Sequence, residues 1–269
     1  MLLGISSYTF PWAVSLEDSM PGKLQAAKNI IHFAAKKNIS YVQFGDNLPL
    51  HIFSANEIEA LKRTASDLHV NIQVGTKKLV VENIIEYVSI ATKCSSPFIR
   101  IVIDDIDYHP SEEEVTGVIH KILPRLRQSN IILAIENHDR FSAATLQRII
   151  SKTDPAFIKI CLDTANSLGA GEGIEQVVKI LAPYTVNMHV KDFKIQRVDH
   201  KMGFTVEGTA AGEGMLNIRW LVEELGKYDQ CKTATLEIWS NPEETMEKTI
   251  MKEADWVEKS INYLKTIIV

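Results

Sequence analysis

The sequence predicts an α/β fold, a single (β/α)8 TIM barrel spanning residues 1–269. Three observations lead there. Short apolar runs rich in β-branched residues alternate with longer amphipathic ones, the pattern of parallel strands joined by crossover helices. Eight such pairs fit into 269 residues, close to the ~250 usual for a closed barrel. No Pro/Gly/Ser-rich linker or charged tail interrupts them, which favours one unit over the two domains that length alone would allow.

The pairs read in order. Leu2–Ser7 is followed by a helix over Lys23–Lys37, in which Leu24, Ala27, Ile30, Ile31 and Ala34 recur at i, i+3, i+4 spacing. Tyr41–Gly45 leads to Asn56–Leu68, and Asn71–Gly75 to Val81–Lys93. Phe98–Ile103 leads to Glu112–Arg127, which Ser111 and Glu114 open with the spacing of a capping box. Ile131–Glu136 leads to Ala143–Lys152, with Ser142 as N-cap. Phe157–Leu162 leads to Ile174–Leu181, Thr185–Val190 to Ile218–Tyr228, and Thr233–Ile238 to Glu243–Lys265. One connection stands apart: Lys191 to Asn217, rich in Gly and charge, far exceeds the usual 2–6 residues and reads as a functional loop.

Composition narrows the function. With 29 Lys+Arg against 34 Asp+Glu, the net charge of −5 offers no basic field for nucleic acid. No run reaches the 18 apolar residues that span a bilayer, so no membrane partner is expected. The apolar stretch over Met1–Leu16 lacks a basic leader and a clear cleavage site. Three scattered cysteines, Cys94, Cys161 and Cys231, fit buried thiols in a reducing cytoplasm. The expected partner is a small molecule, and a homo-oligomer is compatible with this composition.

In such barrels chemistry sits where strands end. Strand five ends in Glu136, strand six in Asp163, strand seven carries His189 and Lys191, and strand eight carries Glu237. Period-2 alternation turns Ile132, Ala134 and Glu136 into the barrel, and groups Asn187, His189 and Lys191 on one face, and Thr235, Glu237 and Trp239 on another. Singly, each acid is an ordinary cap or ion pair and the histidine an ordinary core group. Together, three carboxylates and an imidazole converging on one point require a cation, because burying them bare costs several kcal/mol each. The donor set suits Mn²⁺ or Mg²⁺, with Co²⁺ and Zn²⁺ as alternatives.

That order of four residues, with the strings HVKDF and LDTAN, resembles the xylose isomerase-like barrel family along the whole chain. The family contains sugar isomerases, ketose 3-epimerases, inosose dehydratase and related lyases. The resemblance implies that Glu136, Asp163, His189 and Glu237 bind a divalent metal, most often Mn²⁺, and that Glu136 and Glu237 carry protons. Three positions depart from the epimerase pattern: Asn166 stands where those enzymes have histidine, Ser142 where they have glutamate, and Ile195 where they have arginine.

The long loop, with LDTANSLGAGEG and ENHDRF, resembles instead a subgroup of 3-oxo-isoapionate decarboxylases. A 3-oxo acid loses CO2 when its ketone is polarised, since the carbanion is then an enolate, and a divalent ion can supply that polarisation. Its carboxylate needs cations, and Lys191, Arg197, His200 and Arg100 are the candidates, with a solvated loop as the plain alternative for Arg197 and His200, and an internal ion pair with Asp192 or a ligand carboxylate for Lys191 and Arg100. Asn166, Asp46 and Tyr8 are further substrate contacts. Phe10 and Trp12 are either pocket wall, core or interface. The expected activity is therefore a metal-dependent lyase of carbohydrate breakdown, decarboxylating a 3-oxo sugar acid, with Glu136, Glu237 and Lys191 catalytic. The alternative is a sugar isomerase or epimerase using Glu136 and Glu237 for enediolate proton transfer. A silent sugar-binding barrel is the third reading. A nuclease is disfavoured by the acidic balance and the few ligand-like histidines.

Overall fold

A computed structural model describes residues 1–200 and 202–268. Eight parallel strands close into a barrel: β1 (Leu2–Ser6), β2 (Tyr41–Phe44), β3 (Asn71–Lys77), β4 (Phe98–Val102), β5 (Ile132–Glu136), β6 (Ile158–Asp163), β7 (Thr185–Val190) and β10 (Thr233–Leu236). Around them run α2 (Met20–Lys36), α3 (Ala55–Asp67), α4 (Val81–Cys94), α5 (Glu112–Ser129), α6 (Ala143–Ser151), α7 (Ile174–Leu181), α8 (Ile218–Gly226) and α9 (Met246–Leu264). The expected (β/α)8 TIM barrel is the observed fold.

Alternation sorts each strand. On β4 and β5, Ile99, Ile101, Leu133 and Ile135 face the helices and join the main core, while Phe98 and Ala134, with Cys161 of β6, form a separate small cluster inside the barrel. The inward set continues upward to Arg100 and Glu136, both buried. Pairing of β6 with β7 shifts by one residue between Ile160 and Cys161. Continued from Ile160–Thr185, the pairing would set Asp163 beside Met188, and the shift sets it beside His189 instead.

Helix starts follow their caps. Ser111 and Glu114 make the capping box of α5, and the Ser142 hydroxyl accepts from Thr145 N. Helix α2 begins three residues before expectation because Ser19 caps it and Pro21 suits its first turn. Helix α9 begins three residues later than expected, capped by Thr245. A short helix, α1 (Pro11–Ser15), was not expected; buried Glu253 accepts its Trp12 and Ala13 N–H groups at 2.7 and 3.1 Å.

The long connection is not a loop throughout. It contains an antiparallel hairpin, β8 (Asp192–Arg197) with β9 (Phe204–Thr209), in register from Asp192–Thr209 to Arg197–Phe204. Asp192 anchors its base: Oδ2 accepts from Gly212 N and Gly214 N at 2.9 and 3.0 Å, and Oδ1 from Phe193 N and Leu216 N at 2.8 and 3.1 Å. Gly214 cannot carry a side chain, as a Cβ would lie 2.0 Å from Asp192 Oδ1. In Asp192→Asn an amide NH2 meets two N–H groups, so about 2–3 kcal/mol should be lost. Thermal denaturation should then show a Tm fall of roughly 4–10 °C; an unchanged Tm would refute the anchoring role.

Candidate metal centre

At the carboxyl ends of β5, β6, β7 and β10, four buried side chains meet. His189 Nδ1 lies 3.2 Å from Glu136 Oε2, 3.3 Å from Glu237 Oε1 and 3.9 Å from Asp163 Oδ2. Glu237 sits one residue past β10, its N–H bonded to Val190 O at 3.1 Å.

Neighbours hold each carboxylate in place. Asp163 Oδ1 accepts from Ala165 N and Asn166 N, both at 2.8 Å, which leaves Oδ2 facing the centre. Asn137 clamps the Asp163 backbone, accepting from its N–H at 2.7 Å and donating to its C=O at 2.8 Å. Glu136 uses both oxygens: Arg100 Nε donates to Oε2, and Asn166 Nδ2 donates to Oε1 at 2.9 Å. Ser6 Oγ donates to Glu237 Oε1 at 3.2 Å.

Among the described residues three buried atoms lack a hydrogen-bond partner, and all are here: Asp163 Oδ2, His189 Nδ1 and Glu237 Oε2. Buried polar atoms are rarely left so, and each such group calls for an explanation. Lys191 Nζ is 2.9 Å from Asp163 Oδ2 and 3.0 Å from Glu237 Oε2, close enough for charge pairing but without hydrogen-bond alignment. Ligand atoms of Asp163, His189 and Glu237 all lie within 4.8 Å of one another. Carboxylate oxygens and one imidazole nitrogen, orphaned and convergent, fit a divalent cation.

The charges of the site lean on one another. Burial alone would raise the Glu136 carboxyl, yet Arg100 and His189 outweigh it and hold it well below the carboxylate range. Burial works against charge on His189, but Cys161, Glu237 and Glu136 hold its pKa well above the usual imidazole value. Lys191 likewise stays protonated despite burial, through Asp163, Glu237 and Glu136.

A cavity of about 670 Å³ opens above, lined among others by Tyr8, Asp46, Arg100, Glu136, Lys191 and Glu237. Tyr8 OH donates to Asp46 Oδ2 at 3.0 Å, and Arg100 Nη1 donates to Asp46 Oδ1 at 2.7 Å. A second depression of about 520 Å³, bounded by Asn166, Leu168, Val206 and Trp239, adjoins it at Lys191. Of the expected substrate contacts, Tyr8, Asp46, Arg100 and Lys191 line the first space and Asn166 the second. Arg197 and His200 are not brought to either: both are exposed on the hairpin, where Arg197 lies 4.6 Å from the Phe204 ring centroid.

Phe10 packs edge-on against Phe33, and Trp12 Nε1 donates to Ser240 O at 3.0 Å, so neither walls the cavity. Lys191 pairs with the site's acids rather than with Asp192, whose oxygens are taken by backbone N–H groups. Sequence reasoning missed Ser6, Gln43 and Asn137. Their signal was polarity at strand positions that point inward or end a strand.

The architecture is that of a barrel enzyme scaffold with one acid-rich centre at its carboxyl-end mouth. The chain belongs to the xylose isomerase-like TIM barrel family, whose model matches residues 31–267. It is similar to a 3-oxo-isoapionate decarboxylase of Pectobacterium atrosepticum, 27% identical over 99% of this chain and 96% of that one. Among solved structures it resembles D-psicose 3-epimerase from Clostridium cellulolyticum H10 with D-tagatose, at TM-score 0.72 and 14% identity, covering 99% of this chain and 98% of the other. It also resembles a xylose isomerase-like TIM barrel protein from Mycobacterium smegmatis in complex with magnesium, at TM-score 0.73 and 9% identity, covering 98% and 97%. Among the described residues no helix is long and apolar enough to cross a membrane.

Proposed function

We propose that the protein is a divalent-metal-dependent lyase of carbohydrate breakdown that removes CO2 from a 3-oxo sugar acid. The observation that carries this reading is the state of Glu136. Both its oxygens are engaged, by Arg100 and by Asn166, and it is held ionised. A 3-epimerase must take a proton from one face of a carbon and return one to the other, which needs two free proton carriers. Decarboxylation needs a single proton delivered, and Glu237 with Lys191 suffices for that.

Glu136, Asp163, His189 and Glu237 would hold the ion, with Mn²⁺ the first to supply. When bound, it would polarise the substrate ketone as a Lewis acid. Arg100 fixes Glu136 and Asp46 in place, and Asp46 and Tyr8 present oxygens to substrate hydroxyls. The C–C bond to the carboxylate breaks, its electron pair moves toward the ketone oxygen, and CO2 leaves. One proton must then reach the carbon that lost CO2. Lys191 Nζ, open to the cavity and 3.0 Å from Glu237 Oε2, is the group to give it. The full-length likeness to a decarboxylase supports the same reading.

The test supplies Mn²⁺ and offers 3-oxo sugar acids, ketoses and inososes in parallel. CO2 release from a 3-oxo acid is the expected result. Epimerised ketose with no CO2 from any 3-oxo acid would overturn the proposal in favour of an epimerase.

A further inference from the structure

The inside of a (β/α)8 barrel is usually filled by branched apolar residues. Beneath the His189 imidazole it is polar here: Gln43 on β2, Gln73 on β3, Asn187 on β7, and Thr233 and Thr235 on β10, all buried. Buried amides are costly unless bonded, and these are bonded to one another in a single direction.

That direction can be read from one fixed point. The Thr233 carbonyl only accepts, so the Asn187 group 3.2 Å from it is Nδ2. Asn187 Oδ1 therefore faces Gln43, and the Gln43 group 3.2 Å away is Nε2, which also donates to Gln73 Oε1 at 3.3 Å. Gln43 Oε1 is then the atom 2.7 Å from His189 Nε2. A carbonyl oxygen accepts only, so Nε2 must carry the proton. That leaves Nδ1, the nitrogen aimed at Glu136, Asp163 and Glu237, as the one placed to ligate.

We propose that Gln43 is a positioning residue: through the Asn187–Thr233 ladder it fixes which nitrogen of His189 is free to ligate, and at what ring angle. This rests on the metal reading of the site above. Partners of a ligating histidine commonly change metal affinity by about 10–100-fold when lost.

The experiment measures Mn²⁺ affinity by calorimetry for the full chain, Gln43→Met and Gln73→Met. The second variant disturbs the same buried layer without touching His189. Gln43→Met should weaken binding by about 10–100-fold, with Gln73→Met within about threefold of wild type. ¹⁵N NMR of the Mg²⁺-loaded wild-type protein should show His189 protonated at Nε2 alone, and this readout stands even if Gln43→Met fails to fold. Undiminished affinity in Gln43→Met, equal losses in both variants, or an unprotonated Nε2 would each overturn the inference. Absence of Mn²⁺ binding by the wild-type chain would instead remove the metal reading itself.

Discussion

Glu136→Gln should lose bound divalent metal and, with it, at least about 10³-fold in turnover. The substitution is nearly isosteric, so it changes charge and hydrogen bonding but not shape. In the wild-type site Glu136 Oε2 faces both Arg100 Nε and His189 Nδ1, while Oε1 takes a hydrogen bond from Asn166. An amide at that position removes one of three carboxylates from the centre and turns a donor toward either Arg100 or Asn166, both of which donate. Metal content by elemental analysis, alongside CO2 release, checks the outcome. Unchanged metal content would count against the assignment of the site, whatever happened to activity.

Arg100→Met should cost about 3–5 kcal/mol of stability, because removing one partner strands buried charge. Arg100 is 4% exposed and pairs with Glu136 and Asp46. Gly75 makes room for it, with a Cβ there falling 3.2 Å from Arg100 Cδ. The Tm should fall by roughly 10 °C, read in chelator-containing buffer so that metal does not intervene.

The loss should depend on pH in a definite direction. The folded Glu136 carboxyl lies well below its ordinary 4.5, so the pair contributes fully above that value and fades as pH falls through the folded value. The gap between wild type and Arg100→Met should therefore be widest near neutrality and narrow below about pH 4.5. A gap constant from pH 7 to pH 3 would mean that Glu136 charge is not what Arg100 compensates.

The barrel was legible because each strand is a short β-branched run buried on both faces, and each helix keeps one apolar stripe. The convergence of Glu136, Asp163, His189 and Glu237 followed from strand-end position and alternation alone. What escaped was whatever lacks a burial pattern. The β8–β9 hairpin has no face packed on the main core beyond its base, since Ile195, Phe204 and Val206 are all exposed, so its alternation carried no signal distinguishable from a polar loop. The one-residue shift in β6–β7 pairing is invisible to a periodicity argument. Gln43 stood in plain view within YVQFG, but a lone polar residue in an apolar run names no partner until the neighbouring strands supply one.

The hairpin carries one more consequence, in the hierarchy of motions. A two-stranded ribbon is marginally stable by itself, and this one is tied down at its base by the Asp192 oxygens and by the close approach of Gly208 to Trp239. Its opening free energy should therefore lie below that of the closed barrel strands. Val206 bounds the second depression, whereas the four acid and imidazole groups stand on closed barrel strands or one residue beyond them. One wall of that depression can thus open and exchange while the four convergent groups beside it keep their places.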